Sequence, residues 1–380
     1  MEYPYSINDS VALSMPSVQR LSLPFFIGLL LMTLDLSTNF GGLKLRTPII
    51  VGSCPLTANP QHRIALERSG AGAVVLPSLF EEHVIAWRIG NGGSPTEREQ
   101  RLIDRVTGMT RKALVPNVET YLAMLNRASV QSNIPVIASL HGGTDGNWLD
   151  FAGELQDTGA DAIELNVHHR PDNDYDKPRE LEDQVVELVK TIRTSISVPL
   201  FLKLHREYTA VSHLARRLVS GVQGLVLYAR DPEIDIALDS LKLQCKWGMS
   251  SPGFISPTLR ALMSVYGHCP ALPLAGNGGI GRPEDLIKTL LAGADVAMIV
   301  SAVYREGPDI IRTMLDGLTQ FMECNRVCSL NELQSKRPME FTSEEDRLNT
   351  IEGLSPTPCW IGIRNEEHVI QGDRWGHPVG

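Results

Sequence analysis

Between residues 48 and 323 the chain alternates short apolar runs with longer stretches of helical periodicity, eight times over, with no other domain intervening. A short apolar run bounded by turn residues has the signature of a strand buried on both faces, and an amphipathic helix after it is what a parallel crossover needs. The runs occupy residues 48–53, 72–78, 135–140, 161–167, 198–204, 224–229, 272–275 and 296–300. Helices are expected over 61–69, 118–129, 147–158, 181–195, 209–220 and 308–323, with others before Tyr266 and after Pro283. Eight such units predict a (β/α)8 barrel. An open doubly wound sheet is the competitor, but no early dinucleotide fingerprint accompanies it.

The last two units are the most explicit. Leu272 to Ala275 reads as a strand, Gly276, Gly278 and Gly279 as a turn, and Pro283 as the first turn of a helix with Glu284 and Asp285 at its positive end. Leu286, Ile287, Leu290 and Leu291 form its apolar face, Gly293 ends it, and the following strand closes on Ser301. At the C-terminal end of a barrel strand such a turn can hold a phosphate. Glycine also serves turns that bind nothing, and from this stretch alone the two readings are balanced.

The chain of 380 residues has room for one barrel with appendages. The barrel is expected over 32–336, an N-terminal extension over 1–31, and an irregular, proline-bearing tail over 337–380. Residues 21–34 are apolar but number 14 and include Pro24, short of the roughly 20 a spanning helix needs. An interfacial anchor is one reading of them; a start of the fold at Met32 is the preferred one, so membrane association is not expected. Two connections are long, from about 80 to 117 and from about 230 to 256, and the first is expected to be an irregular lid or binding loop.

A net charge of −9 argues against nucleic acid as partner. The six cysteines form no CxxC pair, so no zinc or iron–sulfur set is indicated, and scattered thiols fit a reducing cytoplasm. No HExxH, GxSxG or P-loop occurs, and no metal is expected.

Barrel chemistry sits at the C-terminal strand ends, which here bring Gly52, Ser53, Ser78, Ser139, His141, Asn166, His168, His169, Arg170, Lys203, His205, Tyr228, Arg230 and Ser301. Lys203 is the most informative. Its alternation with Phe201 puts it on a core-facing side, where an ammonium needs an anionic partner. That partner is a ligand or Glu164 on the neighbouring strand, and the ligand reading is preferred. Asn166 offers a donor and an acceptor to a heterocycle, or ties down its own loop. His168 and His169 offer an acid/base group, though histidine pairs in loops more often face solvent.

Taken in order, Pro48-Ile-Ile-Val-Gly-Ser53, Glu164-Leu-Asn-Val167, Leu202-Lys-Leu204, Gly276-Asn-Gly-Gly-Ile280, Leu291-Ala-Gly-Ala-Asp-Val296 and Ile299-Val-Ser-Ala302 resemble the dihydroorotate dehydrogenase family of FMN-dependent barrels. The resemblance covers roughly residues 32–323. It implies an oxidoreductase of pyrimidine biosynthesis that binds FMN and a small-molecule substrate. It assigns the FMN phosphate to the turn Gly276, Asn277, Gly278 and Gly279 and to Val300, Ser301 and Ala302. It sets the flavin against Gly52, Ser53 and Ser139, with Asn166 and Lys203 at the ring. A cation there would stabilise the anionic reduced flavin.

The orotate half departs from the family. The family loop Asn-x-Ser-Cys-Pro-Asn reads Asn166-Val-His-His-Arg-Pro171, which puts His169 in the position of the base. The substrate lysine after the second strand is matched by Pro77, with only Ser78 agreeing, and the Asn-Ser/Thr pair after the sixth strand by Tyr228-Ala229-Arg230. Asn117 matches a substrate asparagine, and Arg170 or Arg230 is the expected carboxylate partner. The alternative is an FMN-binding protein of the same fold with another substrate or without dihydroorotate activity. The electron acceptor cannot be read, and a homodimer is compatible with all of this.

Overall fold

The structure is a computed structural model and describes residues 34–107, 117–143, 146–167, 177–206 and 208–339, with positions 343, 345, 346 and 350. Residues 1–31, most of 337–380, His168, His169 and Arg170 lie outside them.

Eight parallel strands close into a barrel: β1 (Ile49–Val51), β2 (Ala73–Phe80), β3 (Val136–Gly142), β4 (Ala162–Val167), β5 (Leu200–Leu204), β6 (Gly224–Leu227), β7 (Leu274–Asn277) and β8 (Val296–Ile299). Each pairs with its neighbours in sequence, and β8 returns to β1. The expected (β/α)8 barrel is the fold observed.

Two cores result. Outside the barrel, strand residues such as Val74, Leu165, Leu202 and Leu225 pack on the surrounding helices. Inside, Ile50, Val75, Ile137, Ala162, Phe201, Val226, Ala275 and Val296 meet across the axis. The split follows the period of two along each strand. A short antiparallel hairpin before the barrel, Thr38–Phe40 with Leu43–Leu45, adds Phe40, Leu43 and Leu45 to the inner core. The Phe40 ring stacks on that of Phe201 at a centroid distance of 4.2 Å. The sequence pattern did not reveal this plug.

Two strands run further than their apolar runs suggest. β2 continues to Phe80 rather than stopping at Ser78, and its register against β3 shifts between Val75 and Ser78. Pro77 lies in that irregularity, where a residue without an N–H does least harm to the ladder. β3 likewise extends to Gly142, so Ser139 sits within the strand, opposite Ser78 and Glu164.

The segment expected to be an irregular loop after β2 carries two helices, Glu81–Gly90 and Glu97–Thr107. Thr96 and Glu99 form a reciprocal cap, with Glu99 N donating to Thr96 Oγ1 at 3.2 Å and Thr96 N to Glu99 Oε2 at 2.8 Å. Arg88 Nη2 meets the same carboxylate oxygen at 2.7 Å, where the Glu99 side chain is fully buried. Charge in this stretch signals capping and pairing as well as solvation. The segment after β6 holds an antiparallel hairpin, Glu233–Ala237 with Lys242–Lys246. One face carries Ile234, Ile236 and Leu243, which are 67%, 55% and 80% exposed. Among the described residues, no helix is long and apolar enough to cross a membrane.

Candidate active site

On strand faces that line the barrel interior, the residue two positions past an apolar core residue turns polar. Ile137 is followed by Ser139, Ala162 by Glu164, Phe201 by Lys203 and Ala275 by Asn277. The inner face therefore changes character at one level, toward the C-terminal strand ends where barrel enzymes hold their chemistry.

These side chains form a continuous row. Ser53 Oγ is 3.1 Å from Ser78 Oγ, which is 2.9 Å from Ser139 Oγ. Ser139 Oγ donates to Glu164 Oε1 at 3.2 Å, and that oxygen stands 3.5 Å from Lys203 Nζ. Lys203 Nζ in turn lies 3.7 Å from Met298 Sδ, on the far side of the barrel mouth. The buried Tyr121 hydroxyl accepts from Ser139 N at 3.1 Å and lies 3.4 Å from its carbonyl, which fixes the centre of the row. Burial pushes the Tyr121 phenol well above its usual range, so it stays a neutral donor.

The Glu164–Lys203 ion pair realises the structural alternative for Lys203. It does not use up the site. Among the described residues, Glu164 Oε2 and Asn166 Oδ1 are buried acceptors with no hydrogen-bond partner. Buried acceptors without partners are costly, and two of them at the level where the interior turns polar mark a place for a ligand donor. A flavin ring offers such an N–H, so this part of the site fits FMN.

The glycine turn follows β7 at the same end of the barrel, and its glycines answer to backbone conformation and packing. Gly278 and Gly279 have φ of +100° and +76°, in the left-handed region. A Cβ on Gly279 would fall 2.3 Å from Phe254 O, so no larger residue is admissible there. A Cβ on Gly52 would come within 2.9 Å of Val300 Cγ2, which brings the ends of β1 and β8 into contact. Ser301 Oγ accepts from Ser250 N at 3.1 Å, and Ala302 is fully buried behind it.

Other expected residues take different places. The Asn277 amide donates to Tyr228 O at 2.5 Å, so it ties β7 to β6. Asn117 caps the helix Val118–Gln131, accepting from Thr120 N at 2.9 Å. Arg230 is exposed, its guanidinium 5.4 Å from the centre of the Trp247 ring. His205 Nδ1 lies 2.9 Å from Asp231 Oδ1. Sequence reading missed the Tyr121 clamp and the place of Arg206 beside the glycine turn. Tyr121 carries no local signal, because its partner stands on another element.

Residues 35–322 match the family model described as dihydroorotate dehydrogenase. The chain belongs to the dihydroorotate dehydrogenase family. A catalytic subunit of dihydroorotate dehydrogenase B (NAD(+)) from Methanocaldococcus jannaschii is 27% identical over 300 residues, covering 76% of this chain and 94% of that protein. Its counterpart from Methanosarcina acetivorans is 28% identical over 295 residues, covering 75% and 90%. A protein of Aeropyrum pernix provisionally named dihydroorotate dehydrogenase A (fumarate) is 26% identical over 304 residues, covering 79% and 96%. This member of the dihydroorotate dehydrogenase family is an oxidoreductase of the CH–CH type.

Proposed function

We propose that the chain binds FMN and oxidises dihydroorotate to orotate in pyrimidine biosynthesis. The observation that carries this is the pair of buried, unpartnered acceptors, Glu164 Oε2 and Asn166 Oδ1, beside the Lys203 ammonium. When bound, FMN supplies the hydride acceptor. Asn166 and Lys203 would hold the flavin ring, Asn166 as an acceptor and Lys203 as a cation that would offset the negative charge gained on reduction. Gly278, Gly279, Val300, Ser301 and Ala302 receive the phosphate, and Gly52, Ser53 and Ser139 line the ring. His169 takes the substrate C5 proton, a task within reach of an imidazole near neutral pH. Arg230 or Arg170 holds the substrate carboxylate, with Asn117 at the edge.

Two measurements test this. The purified chain should carry a flavin spectrum, or acquire one with added FMN. The FMN-loaded protein should then be bleached by dihydroorotate under anaerobic conditions. A colourless protein that FMN cannot reconstitute would end the proposal.

A second reading is favoured by Pro77. The position of the family's substrate lysine is held by a proline in the β2 irregularity, and its neighbour Ser78 is bonded into the serine row. On this reading the chain binds FMN and takes another substrate, or none. Full flavin occupancy without reduction by dihydroorotate would select it.

We also propose a cytoplasmic homodimer. Five free cysteines among the described residues suit a reducing compartment. The exposed apolar face at Ile234, Ile236 and Leu243 suits burial against a second copy, since an isolated two-stranded hairpin is marginal in water. Sedimentation should give a dimer that Leu243→Glu dissociates; a wild-type monomer at micromolar concentration would refute it.

A further inference from the structure

Arg206 follows β5, three residues beyond Lys203. Its Nη2 stands 3.6 Å from the point a Cβ on Gly278 would occupy, above the first of the two left-handed glycines. On its other side the guanidinium lies 5.7 Å from the centre of the Tyr228 ring. Among the described residues it meets that ring and no carboxylate. Arg305, which follows β8, is committed elsewhere. Its Nη1 donates to Ser250 O at 2.8 Å, so that guanidinium is engaged in holding the segment that reaches Ser301.

A guanidinium that rests on an aromatic face keeps its in-plane N–H groups available. Here they border half-buried Gly278, where the nearest atom to an added Cβ is the guanidinium itself, and the amides of this turn are the donors that the FMN reading gives the phosphate. Amide donors are neutral, so a dianion held by them alone keeps its full charge. A fork of charged donors from a different strand complements them in both charge and geometry. Nothing in the spacing of the sequence joins Arg206 to the glycine turn; closure of the barrel does.

We propose that Arg206 is a side-chain ligand of the flavin phosphate, reaching over Gly278 from the end of β5. This rests on the FMN reading of the site. It adds to the backbone cradle a charged contact carried by the stretch Leu202-Lys-Leu-His-Arg206.

The test compares two flavins that differ only in the phosphate. The full chain, wild type and Arg206→Ala, Arg206→Gln and Arg206→Lys variants, is titrated with FMN and with riboflavin by quenching of flavin fluorescence. Arg206→Ala and Arg206→Gln should weaken FMN about ten-fold, the usual scale for one hydrogen bond to a charged group, and leave riboflavin unchanged. Arg206→Lys should recover part of the loss, because it keeps the charge without the fork. Raising the salt concentration should narrow the gap between wild type and Arg206→Ala. An unchanged ratio of FMN to riboflavin affinity in both neutral variants overturns the assignment while leaving the FMN reading intact. So does a raised KM for dihydroorotate with FMN affinity unaltered, which would move Arg206 to the substrate. A wild-type chain that binds neither flavin overturns both.

Discussion

Lys203 Nζ stands 3.5 Å from Glu164 Oε1, on neighbouring strands, with 9% and 1% of the two side chains exposed. A buried ion pair of this kind contributes little net stability over an apolar pair of similar size, yet losing one partner is costly. Its value lies in position. The carboxylate holds an ammonium at the floor of the barrel mouth, its second oxygen unpartnered, and the serine row from Ser53 fixes the carboxylate in turn.

Breaking that pair from one side should therefore cost more than removing it whole. Lys203→Met or Glu164→Gln alone is expected to lose stability, by up to about 3–5 kcal/mol where a bare charge remains buried. The double variant should lose less than the sum of the two. Urea unfolding of all four proteins measures the coupling, and strictly additive losses would show that the two groups do not sense each other. With FMN bound, Lys203→Met should also lower the flavin potential.

Phe40 closes the barrel at the end opposite the polar level. Phe40→Ala removes a fully buried ring stacked on Phe201 and is expected to cost about 3–5 kcal/mol. Flavin affinity at the distant mouth should stay within about two-fold, by the independence of well-separated sites. A loss of stability under about 1 kcal/mol would mean that the hairpin contributes little to the inner core.

Glu99 joins the two helices after β2 through Arg88 and the cap at Thr96. Glu99→Ala removes the Arg88 contact and the carboxylate half of the cap, leaving only the Glu99 N to Thr96 Oγ1 bond. Amide hydrogen exchange should quicken across Glu97–Thr107 while the barrel strands keep their protection. Equal quickening in the barrel would show that the helices and the barrel open as one unit.

Burial pushes the Cys54 thiol above its usual range, offset in part by hydrogen bonds from Thr57 and Leu56 and least by the Lys203 charge. With its folded pKa raised, the group stays a thiol at pH values where an exposed cysteine begins to ionise. Iodoacetamide at pH 8 should thus modify exposed Cys245 well before Cys54, as peptide mass mapping would reveal. Equal rates at the two cysteines would contradict the burial.

The barrel was legible because its signal is local. Apolar runs of strand length separated by amphipathic helices leave few architectures that bury every run, and the period of two placed Lys203 on the same inner face as Phe201. The glycine turn was legible for the same reason. The helices after β2 were not legible because the length of the connection, its many charges and Gly90, Gly92 and Gly93 read as an irregular loop, although the Thr96-x-x-Glu99 box was present in the sequence.

Only the closed fold decided which residues meet. Lys203 touches Met298 from 95 positions away, the serine row draws members from two strands and the turn after β1, and Tyr121 reaches Ser139 from a helix. Asn277, expected at the cofactor, has its amide turned to the Tyr228 carbonyl, and Arg206, absent from any motif, stands beside Gly278. Periodicity along a chain records which way each side chain faces. It cannot record what stands opposite, because that depends on the register and closure of strands distant in sequence.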